Sequence, residues 1–161
     1  MAARMVIGII LSVFALSSCE SVEYTEPPRE EQAVVIEVPE KGKDELFVLA
    51  NSWAVDAFNS AESVIEFSDK EAGIVKGNFE SALSDGMRSS GRARTTMTIE
   101  VKDGRARISF RDPMFIYERR ELWSPVGWNP CEGRYLQQLN LHWDALASSL
   151  GEALRGEATE W

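Results

Sequence analysis

Between residues 92 and 112, two runs of alternating polar and apolar residues flank an Asp103-Gly104 step, and no other stretch constrains the fold as much. Asp-Gly favours the two-residue type I′ turn, whose twist matches that of the strands it joins. Such a turn sets Lys102 opposite Arg105. Because side chains alternate with a period of two, that one pair fixes all the others. Val101 then meets Ala106, Ile99 meets Ile108 and Met97 meets Phe110, so one face is apolar throughout. The other face pairs Glu100 with Arg107, Thr98 with Ser109 and Thr96 with Arg111. A lone hairpin is marginal in water and must lay its apolar face against further elements.

Two amphipathic helices can provide that cover. Residues 44–61 carry Leu46, Phe47, Leu49, Ala50, Trp53, Ala54, Ala57 and Phe58 at helical spacing, with Asp44 and Glu45 where the helix dipole favours acids. Residues 135–154 place Leu136, Leu139, Trp143, Leu146, Leu150 and Leu154 at steps of three and four. Val34, Ile36 and Val38 alternate in a strand ended by Pro39, and 64–68 and 74–79 read as short strands around the turn-rich 69–73. The Ser- and Gly-rich stretch 81–91 reads as a mobile loop. The second hairpin strand ends at Asp112, and 115–122 is a candidate edge strand within a segment broken by prolines. The order strand, helix, four strands, helix is that of an α+β domain.

The start of the chain has a different character. Arg4 precedes an eleven-residue apolar run from Val6 to Leu16, followed at once by Leu16-Ser17-Ser18-Cys19. Eleven residues of helix span roughly 16 Å, about half a bilayer core, so the run is too short to cross a membrane and fits the apolar part of a signal peptide. The pattern resembles a bacterial lipoprotein signal. The resemblance implies that residues 1–18 are a signal peptide, that Cys19 is acylated and becomes the mature N-terminus, and that the bilayer is held through its lipid. Two or more acyl chains anchor stably where one does not. The next thirteen residues, 20–32, include five acids and Pro27-Pro28, and read as a flexible acidic tether ahead of a single domain at 33–161. Lipidation uses one of the two cysteines, so Cys131 is left as a buried thiol or as one half of a bridge between chains.

Composition narrows the chemistry. With Lys+Arg 17 against Asp+Glu 26, the net charge of -9 excludes a nucleic-acid binder that relies on overall basic charge. His142 is the only histidine and has no spaced ligand or nucleophile partner, which gives it a packing or surface role and gives no reason to expect a metal or cofactor. Asp103-Gly104-Arg105 belongs to a hairpin turn, and there is no Gly-rich phosphate loop.

The charge is unevenly distributed. Residues 92–134 hold nine basic and six acidic side chains inside an otherwise acidic chain. The hairpin register puts Arg92, Arg94, Lys102, Arg105, Arg107 and Arg111 on one outward face with Glu100 as the only acid there. Such a face attracts anions, although long basic stems also simply cover a solvated sheet. Trp123 and Trp128, lying between prolines, form a second candidate contact surface.

The element order resembles a half-unit of the TATA-box-binding-protein-like (TBP-like) fold. More closely, residues 34–110 resemble an uncharacterised bacterial family of secreted and lipoprotein domains with that fold. The resemblance rests on Val35-Ile36-Glu37-Val38-Pro39, on Trp53 and Phe58, on Val64-Ile65, on Asp69 through Gly73-Ile74-Val75, and on Ile99 through Arg105. It implies an antiparallel sheet with both helices on one face, leaving the basic face open, and an envelope location with the outer membrane favoured. It carries no catalytic motif. The expected function is a non-enzymatic binding module for an anionic envelope component or protein. The alternatives are a structural or accessory subunit of an envelope assembly, and a hydrolase that uses carboxylates.

Overall fold

The computed structural model describes residues 27–58, 65–84, 90–118 and 127–156. They form β1 (Gln32–Glu37), α1 (Lys43–Ala57), β2 (Ile65–Asp69), β3 (Ile74–Ser84), β4 (Ser90–Lys102), β5 (Arg105–Tyr117), β6 (Asn129–Pro130) and α2 (Gly133–Arg155). The sheet order is β1-β5-β4-β3-β2, with β6 against the second half of β5, and every pairing is antiparallel. The α+β class is that expected, and so is the element order apart from the two-residue β6, which adds a fifth strand between the helices.

All seven hairpin pairs from Lys102–Arg105 to Thr96–Arg111 occur as the alternation predicts. The turn itself differs. Gly104 is left-handed at φ 75°, but Asp103 is not, so the turn has the φ pattern of type II and not of type I′. Its surroundings give the reason, since the turn is held from outside. Gly104 N–H donates to the Lys41 carbonyl at 2.9 Å, Val38 N–H donates to the Gly104 carbonyl at 2.8 Å, and Asp103 Oδ1 accepts from Lys43 N–H at 2.8 Å. That last bond caps α1, whose own N-cap residue, Gly42, has no side chain for the task. Asp103→Ala should therefore cost about 1 kcal/mol although it lies outside the helix, lowering the thermal midpoint by roughly 3–6 °C. A thermal melt of the variant checks this, and an unchanged midpoint would refute the capping role.

The core forms between the inward sheet face and both helices. Val75, Phe79 and Leu83 of β3, Ala93, Met97, Ile99 and Val101 of β4, and Ala106, Ile108, Phe110 and Phe115 of β5 are buried. They meet Leu46, Phe47, Ala50, Trp53 and Ala54 of α1 and Leu136, Leu139, Trp143, Ala147, Leu150 and Leu154 of α2. A chain of aromatic contacts links the layers: Trp53 to Phe58, Phe58 stacked on Phe79, Phe79 to Phe110, and Phe110 stacked on Trp143 at 5.5 Å. Trp53 Nε1 donates to Ser149 Oγ at 3.1 Å and ties the helices to each other. Burying each large apolar side chain contributes about 1.5–3 kcal/mol, so this layer dominates stability.

Three expectations are corrected. The stretch 81–91 is not wholly a loop. β3 continues to Ser84 and β4 begins at Ser90, because Leu83 pairs with Gly91 and keeps the inward alternation going. β5 does not stop at Asp112 either. An extra residue there, with Asp112 at φ 53°, makes a bulge, and the strand resumes with Met114 opposite Arg94. Pro113 is tolerated at this irregularity, where its missing N–H leaves no gap in a regular ladder, and its carbonyl accepts from Cys131 N–H. As a result, Phe115 to Tyr117 belong to a central strand instead of a separate edge strand; 119–122 lie outside the described residues.

The tether is also shorter than its composition suggests. Gln32 is already in β1, and Arg29 is fastened to α2. Asn140, buried on the core side of α2, accepts from Arg29 N–H at 2.7 Å and donates to the Arg29 carbonyl at 2.8 Å. Asp144 then accepts from the Arg29 guanidinium at 2.9 Å and from Gln32 Nε2 at 2.7 Å. Asn140 thus satisfies one whole backbone unit, as a neighbouring strand would.

Candidate functional site

The open face of the sheet is built by alternation. On β4 and β5 it takes Arg92, Arg94, Thr96, Thr98, Glu100 and Lys102 opposite Ile116, Met114, Arg111, Ser109, Arg107 and Arg105. β1 adds Ala33, Val35 and Glu37 on one side, and β3 adds Lys76, Asn78, Glu80 and Ala82 on the other. All six candidate cations are exposed there. The neighbouring strands bring acids that two strands considered alone do not reveal. Glu100 is not the only carboxylate on this face.

The six cations fall into three groups. Arg92 pairs with Glu80 at 2.5 Å and with Glu118 at 3.3 Å, Arg107 bonds Glu100 through Nε at 2.8 Å and also through Nη2, and Arg111 lies 3.9 Å from Glu31. Exposed pairs of this kind contribute only about 0–1 kcal/mol each to stability. They do, however, cancel the local field that would draw an anion. Arg94 lies over the Trp128 ring, its guanidinium carbon 4.3 Å from the ring centroid, which joins one candidate from each predicted surface. Trp128 is half-buried beside β6, and Trp123 falls outside the described residues.

Lys102 and Arg105 remain, with no ion-pair partner among the described residues. They flank the turn and, with Val35, Glu100 and Arg107, line a shallow depression of about 240 Å³. Val35 is 54% exposed and gives the depression an apolar side. Two exposed cations without an ion-pair partner, beside an apolar wall, can hold an oxyanion with charge-assisted hydrogen bonds. The β1–β5 pairing that adds Val35 is a contact over seventy residues of sequence, so the hairpin pattern alone could not include it.

Other chemistry is not gathered at this site. His142 is exposed on α2. Cys131 is a buried free thiol whose pKa is pushed up to about 11, first by burial and then by the nearby Glu132 charge, so it stays protonated at neutral pH and is a poor nucleophile. Among the described residues no group of three or more His, Cys, Asp or Glu side chains is placed to hold a metal ion, and no helix is long and apolar enough to cross a membrane.

Residues 33–115 match the family model of a domain of unknown function (DUF4468) with TBP-like fold. Two solved structures share the architecture. A TBP-like protein from Parabacteroides distasonis is similar with a TM-score of 0.62 at 14% identity, over 81% of this chain and 94% of that one. A DUF4468 family protein from Bacteroides ovatus is similar with a TM-score of 0.60 at 12% identity, over 77% of this chain and 85% of that one. At such identities the likeness shows fold and not activity. No curated protein matches the chain.

Proposed function

The chain belongs to the DUF4468 family, and on that premise we propose that it is a membrane-anchored envelope lipoprotein whose domain binds an anionic partner without catalysing a reaction. The anchor is the acylated Cys19 that follows the short apolar run of the leader. The observation that carries the binding reading is the pair Lys102 and Arg105, unpaired and exposed above the depression beside Val35. Phosphate or carboxylate oxygens are the chemistry that two such donors recognise. The arginines already bonded to Glu80, Glu100 and Glu118 shape the rest of the face and hold its side chains in place. The outer edge of β1, which pairs with no strand among the described residues, favours a second reading, as a subunit of an envelope assembly.

Crosslinking pull-down from the native envelope tests the reading. A charge-assisted hydrogen bond contributes about 1.5–3 kcal/mol, so Lys102→Ser with Arg105→Ser should reduce recovery of the bound component at least about tenfold, while Arg92→Ser, outside the depression on the same face, should change it far less. Equal recovery by wild type and the double variant at low salt would overturn the site. In the same fractions, Cys19→Ala should release the protein from the membrane and retain the mass of an unacylated chain. Membrane retention at unchanged mass would overturn the anchor.

A further inference from the structure

The two edges of the sheet are protected unequally. A register shift between Ile65 and Phe67 breaks the ladder of β2, which discourages a new strand from pairing there. β1 has no such device: from Gln32 to Glu37 it has no proline, no lysine and no bulge, and among the described residues it pairs with β5 on one side only. Its exposed Val35 lies on the outward face, and on the inward face α2 runs alongside. A groove of about 500 Å³ separates them, lined by Val34, Val35 and Ile36 from β1 and by the small residues Ala147, Ser148 and Gly151 from α2.

We propose that this edge is the contact between two copies of the chain, related by a two-fold axis, with β1 of one copy pairing antiparallel with β1 of the other. Two features select a second copy as the occupant. The first is the strand. A two-fold axis normal to the sheet keeps inward residues facing inward, and with Val35 opposite its counterpart, Val34 meets Ile36 of the other copy and the exposed valine is covered. The second is charge along α2. Arg29 and Asp144, bonded to each other and with Gln32 also on Asp144, mark the Gln32 end of the groove, and Glu152 and Arg155, with no ion-pair partner among the described residues, mark the other, so each end offers one acid and one base to its counterpart. Antiparallel pairing of β1 brings the Arg155 end of one copy to the Asp144 end of the other, twice. The small side chains of Ala147 and Ser148 leave room for the two helices to approach over the joined sheets, while Gly151 is covered by the Arg155 guanidinium, which sits at the groove where the other copy arrives. Isologous contacts of this kind use the same patch on both partners, which this one satisfies.

Cysteine crosslinking of the full chain in detergent tests the contact. Val35→Cys and Phe67→Cys place thiols at similarly exposed outward positions, 54% and 49%, on the two opposite edges. On oxidation with copper phenanthroline, Val35→Cys should give a species of twice the 18.0 kDa chain mass on a non-reducing gel, while Phe67→Cys and wild type should not. Adding Ser148→Arg to Val35→Cys fills the groove and should abolish the band, and sedimentation should show wild type at the dimer mass and Val35→Lys at the monomer mass. Circular dichroism confirms that each variant is folded. Equal crosslinking at both edges, or a wild-type chain sedimenting as a monomer, would overturn the proposal, including the case where the edge accepts a strand from a different protein.

Discussion

Trp143→Ala should destabilise the domain by about 3–5 kcal/mol, the range for removing a large aromatic from a packed core. Trp143 has no solvent exposure, and its ring lies parallel to Phe110 at 5.5 Å, the point where the aromatic chain crosses from sheet to α2. A domain of this size has roughly 5–15 kcal/mol of net stability, so the loss is a large share of the whole. The thermal midpoint should fall by about 10–20 °C. A companion variant separates packing from polarity. Trp143 Nε1 is buried without a hydrogen-bond partner among the described residues, a cost to the native state. Trp143→Phe keeps a ring against Phe110 and removes that N–H, so it should cost less than half as much. If the two variants melted together, the stack with Phe110 would not be what anchors α2.

How much of this was readable in the sequence depends on how local each determinant is. The β4–β5 register next to the turn is set by alternation, and its seven pairs as far as Thr96–Arg111 were legible, whereas the Asp112 bulge and the four pairs beyond it were not. The turn type was not, because Asp103 and Gly104 bond to Lys41, Lys43 and Val38, some sixty residues away, and those bonds override local turn preference. The same distinction explains the open face. The six cations could be placed from two strands. Their neutralisation could not, since Glu80 comes from β3 and Glu31 from the segment before β1. Glu80 would have been found by carrying the alternation of β3 past Phe79, but its Ser and Gly neighbours mask a strand that Leu83 sustains. Nor does periodicity give a reason for Asn140. A polar residue in the apolar stripe of α2 looks like an interruption until Arg29 supplies the backbone unit that it binds.

Gly91→Ala should cost about 2–3 kcal/mol, a large effect for adding one methyl group, and its cause lies in the segment that the sequence disguises. In a Ser- and Gly-rich loop the change would be neutral or slightly stabilising, because alanine restricts the unfolded chain more than glycine does. In the structure Gly91 is a buried strand residue, opposite Leu83 on one side and Tyr117 on the other. A Cβ there overlaps the carbonyl oxygen of Ile116 and comes within 2.5 Å of Cζ of Phe115. Neither can yield easily. The carbonyl is backbone of β5, and the Phe115 ring is buried, stacked on Tyr135 at 4.3 Å and set edge-on to Tyr117 at 4.8 Å. Relief has to come from separating β4 and β5 beyond the Asp112 bulge or from unstacking Phe115, and overpacking of this kind costs about 1–3 kcal/mol. Hydrogen exchange should therefore accelerate in residues 90–94 and 114–117 and remain slow across the 96–111 half of the hairpin. Arg92→Ala, one residue away but exposed, should change stability by no more than about 1 kcal/mol. A Gly91→Ala variant as stable as wild type would mean that this end of the sheet is a loop after all, and with it would go the placement of Arg92 and Arg94 on the open face.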